Sequence, residues 1–66
     1  MRLTLNGEDR SFPALIHVAD LVTALGLDAR KVAIERNLEI VPRSTYAKVA
    51  LADGDRIEIV HFIGGG

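Results

Sequence analysis

Few residues of this chain are equipped for chemistry, and fewer still stand at a usable spacing. The histidines, His17 and His61, are isolated from one another, and no metal-ligating set forms around either. No nucleophile motif surrounds Ser11 or Ser44, and there is no cysteine. The carboxylates are scattered as a solvated surface scatters them. A self-contained enzyme, a metal site and a resident cofactor are therefore not expected. The remaining candidate is the segment "HFIGGG", which holds three of the six glycines. The α-carboxylate of Gly66 is a functional group that no side chain duplicates. A carboxylate is a poor electrophile, but its acyl adenylate carries a good leaving group and is open to a sulfur or nitrogen nucleophile.

The glycines suit such a use. Without a Cβ, Gly64 and Gly65 can thread a partner's channel too narrow for other residues. Ordering three glycines there costs roughly 1–2 kcal/mol each, so contacts elsewhere must offset about 3–6 kcal/mol. Three residues reach only about 10 Å beyond Ile63, so the globular body must dock on any partner that uses Gly66. Val60 and Phe62 then lie near the mouth of that channel. If their sheet face is uncovered they form an apolar docking patch; the competing reading packs both under a loop. The competing reading of the glycines themselves is a linker remnant or a disordered end.

The elements that must position this terminus are legible. "MRLTLNGEDRSF" alternates Met1, Leu3 and Leu5 against Arg2, Thr4 and Asn6, the period of a half-buried strand. Asn6-Gly7 is a type I′ hairpin pair, with Asp9 to Phe12 as the returning strand and Pro13 as its stop. Val18, Leu21, Val22 and Leu25 form a helical stripe, closed by Gly26 at C′ with Leu27 as its hydrophobic contact. At the cap stands His17, not Ser, Thr, Asp or Asn, which predicts a helix start about 1 kcal/mol weaker than a Thr-capped one. Asp20 suits the first turn electrostatically. "KVAIERN" and "LEIVPR" read as short strands, the second stopped by Pro42. "STYAKVA" reads as a turn of helix or loop with Tyr46 and Val49 inward. Asp53-Gly54 turns into a final strand with Ile57 and Ile59 on one face and Glu58, Val60 and Phe62 on the other. Arg43 and Arg56 are taken as solvated.

One helix between an opening hairpin and the later strands is α+β layer logic. It predicts a β-grasp, ubiquitin-like domain over residues 1–63, a mixed sheet of four to five strands with one main helix on one face, and a glycine tail at 64–66. The first and last strands are expected side by side and parallel at the centre. With 66 residues there is room for a single core, and 48% hydrophobic content makes an unaided core plausible. The absence of cysteine points to a reducing compartment, and the charged opening segment lacks the apolar run of a signal peptide or membrane span, so the cytoplasm is expected. Eight Lys+Arg against nine Asp+Glu, with three aromatics and no basic run, favour neither nucleic acid nor an anionic membrane.

The segments "LTLNGE", "VADLVTALGL", "VAIERNLEIVPRS" and "LADGDRIEIVHFIGGG" resemble the ThiS-type sulfur carrier proteins of thiamin biosynthesis over essentially the whole chain. The last is the most specific, a ubiquitin-like pattern ending at Gly-Gly. His17, where relatives tend to have Thr or Ser, and Asn37-Leu38, where they often have Asn-Gly, depart from the pattern in local structure. The resemblance implies a cycle in which an E1-like adenylating enzyme of ThiF type uses ATP to activate Gly66. A sulfur donor such as a cysteine desulfurase then converts it to a thiocarboxylate, and a thiazole synthase of ThiG type takes the sulfur. Gly65 and Gly66 map onto the family's terminal pair, and Gly64 extends the thread. In this reading the protein is a regenerated cosubstrate and not a catalyst. The rival readings are a molybdopterin-synthase small subunit, a ubiquitin-like modifier and a plain interaction module.

Overall fold

The computed structural model describes residues 1–62. Its strands are β1 (Arg2–Leu5), β2 (Glu8–Ser11), β3 (Val32–Arg36), β4 (Glu39–Val41) and β5 (Arg56–His61), with the helix α1 (Val18–Ala24) between the two hairpins. They form one sheet in the order β2-β1-β5-β3-β4. The β1·β5 pair at its centre is parallel and every other pairing is antiparallel. This is the β-grasp arrangement expected from the pattern.

The first hairpin turns where the sequence demands it. Asn6 and Gly7 take φ of 49° and 81°, the left-handed pair of a type I′ turn. Because the turn uses only two residues, β2 starts at Glu8 and not at Asp9, and Phe12 falls just beyond its end. The second hairpin corrects the sequence reading. Asn37 and Leu38 are not strand residues but the turn itself, with φ of 51° and 70°. A leucine in left-handed backbone is strained, since its Cβ crowds the following carbonyl. Its side chain, 73% exposed, gains little packing in return.

α1 spans only 7 residues, too short to hold itself in water, and rests on tertiary contacts. Val18, Leu21 and Val22 are buried in one cluster with Leu3, Leu5, Val32, Ile34, Val41 and Ile57 of the sheet. Tyr46 and Leu51 complete that core, and Val49 packs against it, so Tyr46 and Val49 do point inward. The weak cap expected at His17 is replaced by other partners. The Val18 and Ala19 amides donate to the carbonyls of Val49 and Tyr46, at 3.0 and 2.8 Å, and the Asp20 amide donates to the His17 carbonyl. Asp20 reaches back to accept from the His17 and Ile16 amides at 2.7 and 3.0 Å. These two backbone donors hold the Asp20 carboxyl below its ordinary pKa. At the other end Gly26, at φ 70°, lets its own amide and that of Leu27 donate to the carbonyls of Thr23 and Val22, a Schellman closure.

Arg43 also departs from expectation. Its guanidinium Nε donates to the Ala29 carbonyl at 2.9 Å, joining the 3₁₀ turns Ala29–Lys31 and Arg43–Thr45, so it braces the fold and is not merely solvated. The adjoining Asp28 carboxyl is held down to about 2 by hydrogen bonds from Arg30.

Replacing Leu38 by glycine removes the left-handed strain but raises the entropy of the unfolded chain. Strain relief of roughly 1–2 kcal/mol exceeds that entropic loss of about 0.5–1 kcal/mol. L38G is therefore expected to raise unfolding free energy by about 0.5–1 kcal/mol, read as a higher urea midpoint at unchanged m-value.

Candidate functional site

β5 is the strand that leads into Ile63 and the three glycines, so the site is built from whatever fixes β5. Its neighbours are β1 on one side and β3 on the other. At the β1 side the ladder pairs Thr4 with Arg56 and Leu5 with Ile57. Asn6 then leaves the strand for the turn, yet its side chain continues the ladder. Asn6 Oδ1 accepts from the Ile59 amide at 2.7 Å, and Asn6 Nδ2 donates to the Ile59 carbonyl at 3.3 Å. Asn37 does the same at the second hairpin. Its amide donates to the Arg56 carbonyl at 2.7 Å, and its Oδ1 accepts from the Arg56 amide at 2.9 Å. Each asparagine thus has two roles, supplying a left-handed turn residue and a pair of hydrogen bonds to β5.

The entry to β5 is held by a buried charge. Asp55 is 6% exposed. Its carboxylate accepts from Arg36 Nε at 2.7 Å, from Asn37 Nδ2 at 3.0 Å and from the Ala52 amide at 2.8 Å. Burial alone raises the pKa of this carboxyl, but the bonds from Arg36, Ala52 and Asn37 together outweigh it and hold the group below the ordinary carboxylate range. The Asp53-Gly54 turn ahead of it docks on β1, where Asp53 accepts from the Arg2 amide at 2.6 Å.

The sheet has two unlike faces. Ile57 is fully buried on the helix side and Ile59 packs against the same core. Opposite them, the register sets Val60 beside Ala33 and Glu58 beside Glu35 on the face away from α1. Val60 is 61% exposed and Phe62, continuing the alternation, is 46% exposed. Both belong to an open face, not to a loop-covered core. Ile40 of β4, paired with Glu35 and 77% exposed, joins them. The sequence reading missed Ile40; the signal for it was the strand alternation, with Val41 buried and Ile40 necessarily opposite. Gly64, Gly65 and Gly66 lie outside the described residues.

His61 sits on the helix side, opposite Val32 and exposed. It borders an open groove of about 280 Å³ that Leu25, Leu27, Ile59 and Arg10 also line. His17 is partly exposed at the helix start, 3.9 Å from Asp20. Among the described residues no group of three or more histidine or acidic side chains is placed to hold a metal ion. No described helix is long and apolar enough to cross a membrane.

A model described as the ThiS family matches residues 3–66. The chain belongs to the ThiS family. It is similar to the sulfur carrier protein ThiS of Bacillus subtilis, 43% identical over 65 residues covering 97% of this chain and 98% of that one. It is 62% identical over its whole length to a thiazole synthase of Paramagnetospirillum magneticum, of which it spans about a fifth. Its fold superposes on the crystal structure of the thiamine biosynthesis protein ThiS from Geobacter metallireducens with a TM-score of 0.84 at 33% identity, covering all of both chains. The β-grasp architecture is therefore shared with ThiS-family proteins, and the family match runs through Gly66.

Asp55 offers a test of how β5 is held. Its folded pKa is depressed, so its contribution to stability is complete above the unfolded value of about 3.9 and is lost as pH falls through the lower folded value. D55N is expected to cost about 3 kcal/mol at pH 7, because Arg36 loses its buried partner. The difference from the native chain should shrink as pH falls below about 4, in urea titrations at fixed pH.

Proposed function

We propose that this ThiS-family domain is a sulfur carrier of thiamin biosynthesis that bears its cargo on the Gly66 carboxylate. The observation that carries the reading is the family match through residue 66, together with full-length similarity to a named sulfur carrier. An adenylating enzyme of ThiF type joins the carboxylate to the AMP portion of ATP with release of pyrophosphate. The terminal sulfur of a persulfide on a donor such as a cysteine desulfurase displaces AMP and forms an acyl disulfide. A thiol then takes up the donor's cysteine sulfur as a disulfide, which supplies the two electrons and releases the thiocarboxylate, and a thiazole synthase of ThiG type accepts the sulfur. The thiazole synthase relatives support that last partner. The domain binds no cofactor of its own in this scheme and is consumed and regenerated as a cosubstrate in the cytoplasm. The molybdopterin-synthase reading is less favoured, because relatives matched over the whole chain carry thiazole and thiamine names.

In this reading each part of the chain has a role. The clamped β5 supplies a fixed base for the Gly64–Gly66 thread. Its short reach, at most about 10 Å, requires the body to dock. Val60 and Phe62, exposed on the open face beside that base, are the residues proposed to make this contact.

The deciding experiment is the intact mass of the protein from its own cells, with fragmentation to place any change. Replacement of one oxygen by sulfur on a C-terminal Gly66 is the expected result; localisation separates it from oxidation of Met1, which gives almost the same mass shift. A polypeptide that continues past Gly66 and still transfers sulfur untrimmed overturns the reading. Deleting Gly66 is expected to abolish thiocarboxylate formation with unchanged thermal unfolding. F62D should weaken the complex with the adenylating enzyme or the synthase while the domain stays folded by circular dichroism.

A further inference from the structure

The open face contains an arrangement that folding alone does not account for. Glu35 of β3 and Glu58 of β5 stand directly opposite one another in the ladder, both half-buried. Like charges in that position destabilise a strand pair. Arg56 Nε comes within 3.6 Å of Glu58, and no ion pair reaches Glu35 among the described residues. Next to this pair the short side chain of Ala33 leaves a depression of about 90 Å³ lined by Glu35, Glu58, Ile34, Ile40 and Val60. The acid pair and the apolar dimple are therefore parts of one concavity, bordered by two of the most exposed large hydrophobic side chains, Ile40 and Val60.

We propose that this concavity receives a surface segment of the thiazole synthase partner that sets one apolar side chain over Ala33 and one arginine between Glu35 and Glu58. The inference rests on the carrier reading and adds the chemistry of the partner's contact. Arginine fits because its planar fork can donate to two carboxylates at once, and a lysine offers only a point charge. Docking desolvates the two glutamates, which strengthens their attraction to a cation and makes any docked surface without one unfavourable. The same pair thus selects for one partner and against apolar surfaces that lack the charge.

The test uses the whole chain and the purified thiazole synthase of the same organism, with binding followed by calorimetry at two salt concentrations. E35Q/E58Q is expected to melt at the same temperature as the native chain or higher, since the cross-strand repulsion is gone. It should nevertheless bind the synthase about tenfold more weakly, with a smaller salt dependence. A33L, which fills the dimple, should weaken binding by about tenfold with its salt dependence intact. Native-like binding by both variants overturns the proposal while leaving the carrier reading untouched. Weakened binding only to the adenylating enzyme overturns the choice of partner. A native chain that binds neither enzyme and gains no thiocarboxylate removes the carrier reading itself, and this proposal with it.

Discussion

The hydrogen bonding of β5 is the constraint on which the rest of the molecule depends. The proposed carrier role needs a strand whose direction does not wander. β5 is flanked by strands on both sides, and the two asparagines extend that grip past the point where the strands themselves stop. Each bond contributes only about 1 kcal/mol net, so no single one fixes the strand. Their arrangement does, because Asn6 grips β5 at Ile59 and Asn37 grips it at Arg56, from opposite edges of the strand. Asp55 then secures the turn that feeds the strand, with Arg36 and Asn37 drawn from the neighbouring hairpin.

A sheet with one helix has one face left over, and the division of labour follows from that. On the covered face Leu3, Leu5, Val32, Ile34, Val41 and Ile57 bury against α1 and supply nearly all the folding energy that 66 residues can muster. The other face is released from folding and is free to carry side chains chosen for other reasons. Ile40, Val60 and Phe62 there leave much of their apolar surface exposed, and the opposed Glu35 and Glu58 work against the fold. A small domain keeps such residues only at a net loss of its own stability, the pattern expected where a surface serves a partner.

What the sequence disclosed and what it concealed divide along the range of the forces involved. The Asn6-Gly7 turn, the Val18 to Leu25 stripe and the Gly26 closure were legible because each depends on neighbours in the chain. The Asn37-Leu38 turn was not, since leucine is a poor choice for left-handed backbone and only the bond from Asn37 to a strand 19 residues away explains its tolerance. His17 looked like a deficient cap for the same reason: the carbonyls that satisfy the helix come from Tyr46 and Val49. Arg43 looked idle until the two 3₁₀ turns were seen side by side. At the candidate site, Val60 and Phe62 could be read from alternation alone, whereas Ile40 and the glutamate pair required the register between strands.

The energetics of docking fit a carrier better than a permanent subunit. Threading three glycines costs about 3–6 kcal/mol, and the side chains that can offset this are few. Burying the exposed parts of Ile40, Val60 and Phe62 contributes on the order of 1–2 kcal/mol each. The two sums nearly cancel, so apolar contact alone leaves a weak complex, and affinity has to come from polar complementarity at the same face. A carrier that has to leave one enzyme loaded and another empty needs that balance, because a tighter apolar patch would slow release. On the proposed docking, the open face is small for a physical reason: its apolar area is about what the thread requires, and selectivity is left to charge.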